Sequence, residues 1–198
     1  MLTAIITDLC DEARMEATLA ALAPAAIDGF IRQLLVIADG ADAAALELAE
    51  DAGADAVAGP DGFAAACAQA RQPWLLILPA GVRPQMGWEA AVRAHARRDR
   101  GAAGYFIGAS ADAGFVARVG EGLAGVRCAL LGQPTPAQGL LVTKVVAAGL
   151  GAPNGEVLAR KLGRGRLRAM GARALAPTTH GIATAPKGRG AGEAWRRP

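Results

Sequence analysis

Two residues, Asp39 and Gly40, directly follow a short apolar segment that we predict to be a buried strand, residues 31–38. A carboxylate at the end of a strand in an open α/β sheet is in position to accept hydrogen bonds from a nucleobase or a ribose. The same pair has an ordinary structural use, in which Asp39 caps the next helix and Gly40 forms the turn. The sequence leaves both interpretations open, and Asp39 is its strongest single candidate for binding.

A second group of acids, Asp8, Asp11 and Glu12, follows the first predicted strand. Such carboxylates can bind a divalent cation. No distant partner residue accompanies them, however, and acids are common in the first turn of a helix, where they favour the positive end of the helix dipole. We therefore favour a structural role for the group. Cys10, between them, is a thiol near a predicted helix N-terminus, a setting that can lower the pKa of a thiol.

The remaining reactive side chains give weaker signals. His95 lies in a segment that we predict to be an exposed helical face, and His180 lies in the C-terminal segment. The three cysteines, Cys10, Cys67 and Cys128, are far apart and show no metal-ligand spacing. This pattern favours a reduced, cytosolic compartment.

Several classes of function are disfavoured by the motifs and by the composition. No GxGxxG segment follows the first strand, and neither GxxxxGKS/T nor GxSxG occurs, so dinucleotide, P-loop and serine-hydrolase sites are disfavoured. Only 4% of the residues are aromatic and the net charge is +3. These values argue against base-stacking surfaces, and we predict no nucleic-acid partner.

Alternating strands and helices would position these residues. The first half predicts strands at residues 2–7, 31–38, 54–58 and 73–78, separated by helices through residues 15–22, 42–51 and 61–70, with Asp61 as a candidate cap. A further helix contains Trp88 and Val92. Such alternation predicts a single α/β domain with a mostly parallel central sheet and helices on both faces.

The second half is less regular. It predicts strands at residues 101–109 and 140–142, an amphipathic helix at 115–131, a helix that Thr143 opens, and a short basic helix at 156–162. Residues 177–198 have the Gly-, Pro- and Arg-rich composition of a largely disordered tail, which places the domain at residues 1–176. No signal peptide is expected, and no apolar run approaches the ~20 residues that cross a bilayer.

The order of these segments, over roughly residues 1–173, resembles the family 2 glycosyltransferases of GT-A fold, in particular a small bacterial branch linked to cell-wall or exopolysaccharide synthesis. In that family the first strand leads into a Pro-Thr-x-Asn-Glu-type loop that helps to hold the nucleotide; here residues 7–12 read TDLCDE. The second strand of the family ends in acids that approach the uracil or ribose; here residues 37–42 read IADGAD. The resemblance implies a set of nucleotide-binding residues: Asp11, Glu12, Asp39, Gly40 and Asp42.

The chain departs from the family at three acidic positions. The strand WLLIL, residues 74–78, is followed by Pro-Ala-Gly where the family has an Asp-x-Asp-type motif, so its metal-binding acid falls on Gly81. A Gly-Asp-Gln-Gly-Leu segment becomes PAQGL, with Ala137 at the acid. The segment that carries the catalytic base becomes GEVLA, with Gly155 at its first position and Glu156 as the remaining carboxylate. The resemblance thus implies that the Mg²⁺ or Mn²⁺ site is lost and that Glu156 is the candidate base.

Two hypotheses follow from the resemblance. The favoured one is a degenerate member that binds a nucleotide-sugar (UDP- or GDP-linked), a glycan or a protein partner with little or no turnover. The alternative is an active, metal-independent inverting glycosyltransferase in envelope polysaccharide or glycolipid synthesis, in which Arg160 or Arg164 replaces the ion. A nucleotidyltransferase of similar layout is disfavoured because the loop at residues 7–12 is acidic.

A cytoplasmic location completes the expectation, with peripheral contact at the inner face of the membrane. The contact would use residues 115–131 and the basic segment 160–173. For residues 115–131, packing into the core is the favoured alternative.

Overall fold

A computed structural model of the chain describes residues 1–9, 11–99, 101–109 and 138–176. The strands in this part of the chain are β1 (Leu2–Thr7), β2 (Ile31–Ile37), β3 (Asp55–Val57), β4 (Trp74–Pro79), β5 (Arg83–Pro84), β6 (Ala103–Ala109), β7 (Leu140–Thr143) and β8 (Leu167–Leu175). The helices are α1 (Glu12–Ile27), α2 (Ala43–Asp51), α3 (Gly62–Gln69), α4 (Trp88–Arg98), α5 (Lys144–Leu150) and α6 (Gly155–Leu162). A short 3-10 turn, Arg164–Arg166, leads into β8.

The described strands form one sheet in the order β3-β2-β1-β4-β7-β6-β8-β5. β1 is parallel to both of its neighbours, β2 and β4, and β2 is parallel to β3. β7 is antiparallel to β4 and to β6, while β8 is parallel to β6. The predicted α/β architecture with a mixed, mostly parallel sheet is confirmed.

Helices cover both faces of the sheet, as predicted. One core cluster contains apolar side chains of α1, α2 and α4, and a second contains those of α3, α5 and α6. The central strands are therefore apolar on both faces, which is why β1 and β4 appear in the sequence as continuous apolar runs. The predicted helix at residues 115–131 lies outside the described residues.

Side-chain caps explain where several helices begin. Asp11, Asp42, Thr143 and Asn154 occupy the N-cap positions of α1, α2, α5 and α6, and each side chain accepts a hydrogen bond from a backbone N–H in the first turn. The prediction that Asp61 caps α3 is wrong. It occupies the N-cap position, but its side chain makes no capping hydrogen bond.

Two lysines tie together the helices on one face of the sheet. Lys144 Nζ, at the start of α5, donates to the carbonyl oxygens of Ala68 and Ala70 at the end of α3, at 2.9 and 2.7 Å. Lys161 Nζ, on α6, donates to those of Leu150 and Gly151 at the end of α5, at 2.8 and 3.1 Å. Both ammonium groups lie at the negative end of a helix dipole, where a cation is stabilising.

β8 was not predicted from the sequence, and its pairing explains why. Tyr105 pairs with Ala169 and Ile107 with Arg173, so two steps along β6 match four along β8. Gly171, with φ 80°, lies within this bulge. The bulge destroys the period-two burial pattern by which a strand is recognised. The two-residue strand β5 was also missed because it has too few residues to show a period.

Among the described residues, no helix combines the length and the apolar character needed to span a membrane.

The loop between β4 and β5 is held against α1 by one buried hydroxyl. The Gly81 N–H donates to Thr18 Oγ1 at 2.8 Å, and the Thr18 hydroxyl donates to the carbonyl oxygen of Val82 at 3.2 Å. Thr18 is fully buried, so water cannot replace it as a partner. Gly81 has φ 92°, a left-handed conformation that favours glycine. α1 therefore determines the path of the chain just after β4.

Replacing Thr18 by valine should destabilise the protein by about 1–3 kcal/mol, because a buried N–H and a buried carbonyl lose their partner while the side-chain volume is kept. Thr18→Ser is the control; it keeps the hydroxyl and loses one methyl group, at a cost of about 0.8 kcal/mol. Urea unfolding measures both variants. An unfolding midpoint for Thr18→Val equal to that of the wild type would contradict this account.

Candidate functional site

The carboxyl ends of the parallel strands define a groove at one edge of the sheet. β1 lies between β2 and β4. The chain that leaves β1 continues to β2 on one side of it, and the chain that leaves β3 returns to β4 on the other side. Such a switch point leaves a crevice at the carboxyl edge of an open sheet, where ligands commonly bind. A cavity of about 230 Å³ lies there, lined by Thr7 of β1, Pro79 of β4 and the start of α6.

A second cavity, of about 400 Å³, adjoins the first over the end of β2. Its lining includes Asp39 and Gly40 from β2 and Gly62 and Phe63 from α3. The two cavities share Thr7, Asp8 and Asn154. We call the combined feature the edge groove.

Asp8, in the middle of the edge groove, has an unusual backbone conformation. Its φ is 57°, and in the described residues it is the one non-glycine residue with positive φ. Aspartate and asparagine adopt this left-handed conformation more readily than most residues. The Thr7 hydroxyl donates a hydrogen bond to Asp8 Oδ2 at 2.9 Å. The two residues, which line both cavities, are therefore hydrogen-bonded to each other.

Asp39 ties the end of β2 to the turn before α3. Its Oδ1 accepts a hydrogen bond from the Gly59 N–H at 2.8 Å. Its Oδ2 lies close to Gly62: a Cβ atom on residue 62 would be 3.1 Å from this oxygen. The carboxylate is exposed and lines the groove while it holds this turn.

The interpretation of Asp39 as the cap of the next helix is wrong, because Asp42 caps α2 by accepting from the Ala45 N–H at 3.2 Å. Gly40 does form the turn, with φ 68°.

The structure separates the other predicted nucleotide-binding residues from the edge groove. Asp11 caps α1 and forms an ion pair with Arg14, with Arg14 Nε 3.1 Å from Asp11 Oδ2. Glu12 lies in the first turn of α1, where it stabilises the helix dipole. Asp42 caps α2. None of these three lines either cavity. Their nucleotide-binding role stays a prediction.

Glu156, the candidate base, lies in the first turn of α6 and lines the smaller cavity. Its Oε1 accepts a hydrogen bond from Arg160 Nη2 at 2.8 Å, and both side chains are 57% exposed. At that exposure the pair contributes little to stability. Asn154, the cap of α6, lies beside it and accepts from the Val157 N–H at 2.8 Å.

The residues at the expected metal position do not fit a divalent ion. The positions of the Asp-x-Asp motif hold Pro79, Ala80 and Gly81, which offer no side-chain oxygen. Gly81 is buried, donates its N–H to Thr18 and lines neither cavity. In the described ranges, no group of three or more His, Cys, Asp or Glu side chains is placed to hold a metal ion.

Two glycines at the groove leave little room for a side chain. A Cβ on Gly155, a position where the resemblance implies an acid, would lie 3.2 Å from Cγ2 of Ile77. A Cβ on Gly139, which has φ 60°, would lie 2.5 Å from Cδ2 of Leu78. The backbone therefore approaches β4 closely at both positions. Ala137, the third position where the resemblance implies an acid, lies outside the described residues.

Several lining residues were not predicted as site residues: Thr7, Phe63, Pro79, Gly139 and Asn154. Asn154 had a usable signal, since an asparagine just before a predicted helix is a typical N-cap. The others are small or apolar, and their types do not reveal a site.

His95 is buried, which overturns the prediction of an exposed histidine. It shares one face of α4 with Trp88 and Val92, and all three are buried. Its Nε2 lies 3.1 Å from the carbonyl oxygen of Ala102, which can only accept, so Nε2 donates. Its ring packs edge-on against Trp74 at 6.0 Å. Cys10 and His180 lie outside the described residues.

The basic segment at residues 160–173 is exposed at every arginine and lysine. Its contact with a membrane stays a prediction.

The order and direction of the strands match a known fold. The chain has the GT-A-like fold of nucleotide-diphospho-sugar transferases. It resembles glucosyl-3-phosphoglycerate synthase from Mycobacterium tuberculosis, solved in complex with Mn²⁺, UDP and glucosyl-3-phosphoglycerate, with a TM-score of 0.55 and 15% identity over 84% of this chain and 68% of the other.

It also resembles residues 1–349 of S. aureus TarS in complex with UDP-GlcNAc, with a TM-score of 0.59 and 9% identity over 91% of this chain and 60% of the other. A longer TarS structure is covered for 37% of its length. The chain thus spans less than two thirds of both TarS structures. No protein-family model and no curated protein sequence matches it.

Among the titratable groups of the described residues, Cys67 on α3 is the one whose pKa is clearly shifted. Burial, which disfavours the thiolate, raises the pKa of Cys67 from 9.0 to about 11, and the nearby Lys144 ammonium opposes part of this rise. Because the folded pKa lies above the unfolded one, the associated stability is fully present below about pH 9 and is lost as the pH rises toward about 11.

The free energy of unfolding of the wild type should therefore fall relative to that of Cys67→Ala between about pH 8 and about pH 11. Alanine cannot ionise, so the difference between the two proteins isolates the thiol from other titrating groups. Urea titrations at each pH give this difference. A difference that stays constant over the range would show that Cys67 ionises as easily in the folded state as in the unfolded one.

Proposed function

We propose that the edge groove binds a nucleotide-sugar in a GT-A-like protein that has little or no transferase turnover. The observation that carries the proposal is the groove itself, which lies over the carboxyl ends of β1, β2 and β4 and contains the predicted residues Asp39, Gly40 and Glu156. The larger cavity, about 400 Å³, is within the usual size range of small-molecule sites.

The composition of the groove supports binding. Asp39 offers an exposed carboxylate, and the Phe63 ring and Pro60 add apolar surface beside it. Such a combination of a hydrogen-bond acceptor with an apolar wall suits a ribose joined to a base. The solved complexes of the two similar proteins named above contain UDP or UDP-GlcNAc, which makes a uridine nucleotide the first ligand to try.

The absent acids support low turnover. A divalent ion would neutralise the leaving diphosphate, and the residues at positions 79–81 cannot supply a ligand for it. At position 155 a side chain would require Cγ2 of Ile77, 3.2 Å from a Cβ there, to move by a few tenths of an ångström. Binding without a metal is therefore the behaviour that these residues favour.

A second candidate function is metal-independent transfer with Glu156 as the base. One specific observation favours it: Glu156 is an exposed carboxylate in the lining of the smaller cavity. A general base must lie within hydrogen-bond reach of the hydroxyl that it deprotonates. Arg160, paired with Glu156, is a described cation that could stabilise a developing negative charge in this arrangement.

UDP-glucose and UDP should raise the melting temperature of the protein in the presence of EDTA, and Mn²⁺ should add nothing. Asp39→Ala should weaken binding about tenfold, because the ligand loses a charged acceptor. Asp55→Ala is the matched control, since Asp55 is exposed on β3 and lines neither cavity. Thermal-shift and calorimetric titrations measure these effects. Unchanged affinity in Asp39→Ala would remove Asp39 from the site.

Turnover separates the two candidate functions. The proposal predicts that the wild type and Glu156→Gln release UDP from UDP-glucose at the same background rate. Catalysis by Glu156 predicts instead a loss of about 10²- to 10⁴-fold in Glu156→Gln, with no change in Glu89→Gln, an acid in the first turn of α4. Metal-dependent release of UDP would contradict both.

A further inference from the structure

Another cavity lies at the opposite edge of the sheet from the edge groove. Its volume is about 680 Å³, and its lining includes Trp74, at the start of β4, and the first turn of α5. Pro79, at the other end of β4, lines the edge groove, so the length of this strand separates the two places. Among the described residues, the two linings have no member in common. We call this feature the amino-edge cavity.

Two cationic residues, Arg71 and Lys144, line the amino-edge cavity. Arg71 is exposed, and neither of the two forms an ion pair with a described residue. The hydrogen bonds of Lys144 go to carbonyl oxygens at the end of α3, which have only a partial negative charge. A net positive charge therefore remains here, and the planar guanidinium of an arginine can donate two parallel hydrogen bonds to a carboxylate or a phosphate.

The amino-edge cavity also has apolar surface. Val145, in the first turn of α5, is 82% exposed, and Pro73 is exposed as well. Trp74 is half-buried, and its ring packs edge-on against His95 with 6.0 Å between the ring centroids, which restrains its position. Aromatic and aliphatic surface beside a cation suits a ligand that joins an apolar ring to an anionic group.

We propose that the amino-edge cavity binds a small anion in which a carboxylate or a phosphate is attached to an apolar ring. Arg71 donates hydrogen bonds to the anionic group, and Trp74 and Val145 contact the ring. The volume of the cavity is within the usual range for small-molecule sites. This site is separate from the edge groove, so the inference does not depend on what that groove binds.

Four small probes distinguish the two parts of such a ligand. Phenylacetate and phenyl phosphate each join a benzene ring to an anion, whereas benzyl alcohol lacks the charge and acetate lacks the ring. At an ionic strength of about 0.01 M, at least one ring-bearing anion should bind about tenfold more tightly than benzyl alcohol and acetate. The order of the two ring-bearing anions shows whether the site prefers a carboxylate or a phosphate. NMR titrations measure the affinities and should shift the backbone amide signals of residues 71–74 and 143–146.

Arg71→Gln tests the cation. The backbone N–H of Arg71 donates to Gln33 Oε1 at 2.7 Å, and glutamine keeps this N–H, so the fold should be kept. The variant should bind the preferred ring-bearing anion about tenfold more weakly, because the anion loses a charged donor. Arg173→Gln is the matched control, since Arg173 is exposed on β8 and does not line the cavity, and it should bind as the wild type does.

Val145→Glu tests the cavity from its apolar side. A carboxylate in the first turn of a helix is compatible with the helix dipole, and Val145 is exposed, so the fold should be kept. The added negative charge should repel the ring-bearing anion and weaken its binding about three- to tenfold. This weakening should diminish when the ionic strength is raised to about 0.15 M, because salt screens exposed charges.

The outcomes are decisive for the amino-edge cavity. Binding of a ring-bearing anion that depends on Arg71 and is weakened by Val145→Glu supports the proposal. It is overturned if neither ring-bearing anion binds, if benzyl alcohol or acetate binds as tightly, or if Arg71→Gln binds as the wild type does. None of the probes contains a nucleotide, so these outcomes do not bear on the proposed function of the edge groove.

Discussion

β1 is hydrogen-bonded on both sides to parallel strands and is buried from Leu2 to Ile6. Pairing on both sides satisfies its backbone groups inside an apolar core, where water cannot reach them. The position of β1 places the ends of β2 and β4 on either side of its own end. Thr7 and Asp8 consequently lie at the centre of the groove, and the residues that leave the neighbouring strands form its walls. The rest of the site depends on this central pairing.

Backbone geometry constrains the chemistry of this site as strongly as the identities of its side chains do. Gly81 has a left-handed conformation and points its N–H toward α1 rather than toward the groove. Gly139 and Gly155 lie close against the side chains of β4. A side chain introduced at position 81 would meet backbone strain, and one at position 155 would require Ile77 to shift.

The sequence predicted those features that depend on local pattern. Continuous apolar runs predicted β1, β2 and β4, and capping chemistry predicted the start of α5 at Thr143. The resemblance to GT-A proteins placed Asp39 and Glu156, and both line the groove.

The misses depend on tertiary context. The bulge opposite Tyr105 hid β8, and the packing of His95 beneath Trp74 could not be inferred from a helix rich in arginine. Phe63 and Pro79 line the groove only because segments that are distant in the chain meet at the carboxyl edge of the sheet.

The two lysine contacts between helices have a mechanical consequence. Lys144 joins α5 to the end of α3, and Lys161 joins α6 to the end of α5, so the three helices form a cross-braced layer. The first turn of α3 and the N-cap of α6 supply Phe63 and Asn154, which both line the larger cavity. Lys144 and Lys161 therefore link, through α5, the two helices that contribute these lining residues.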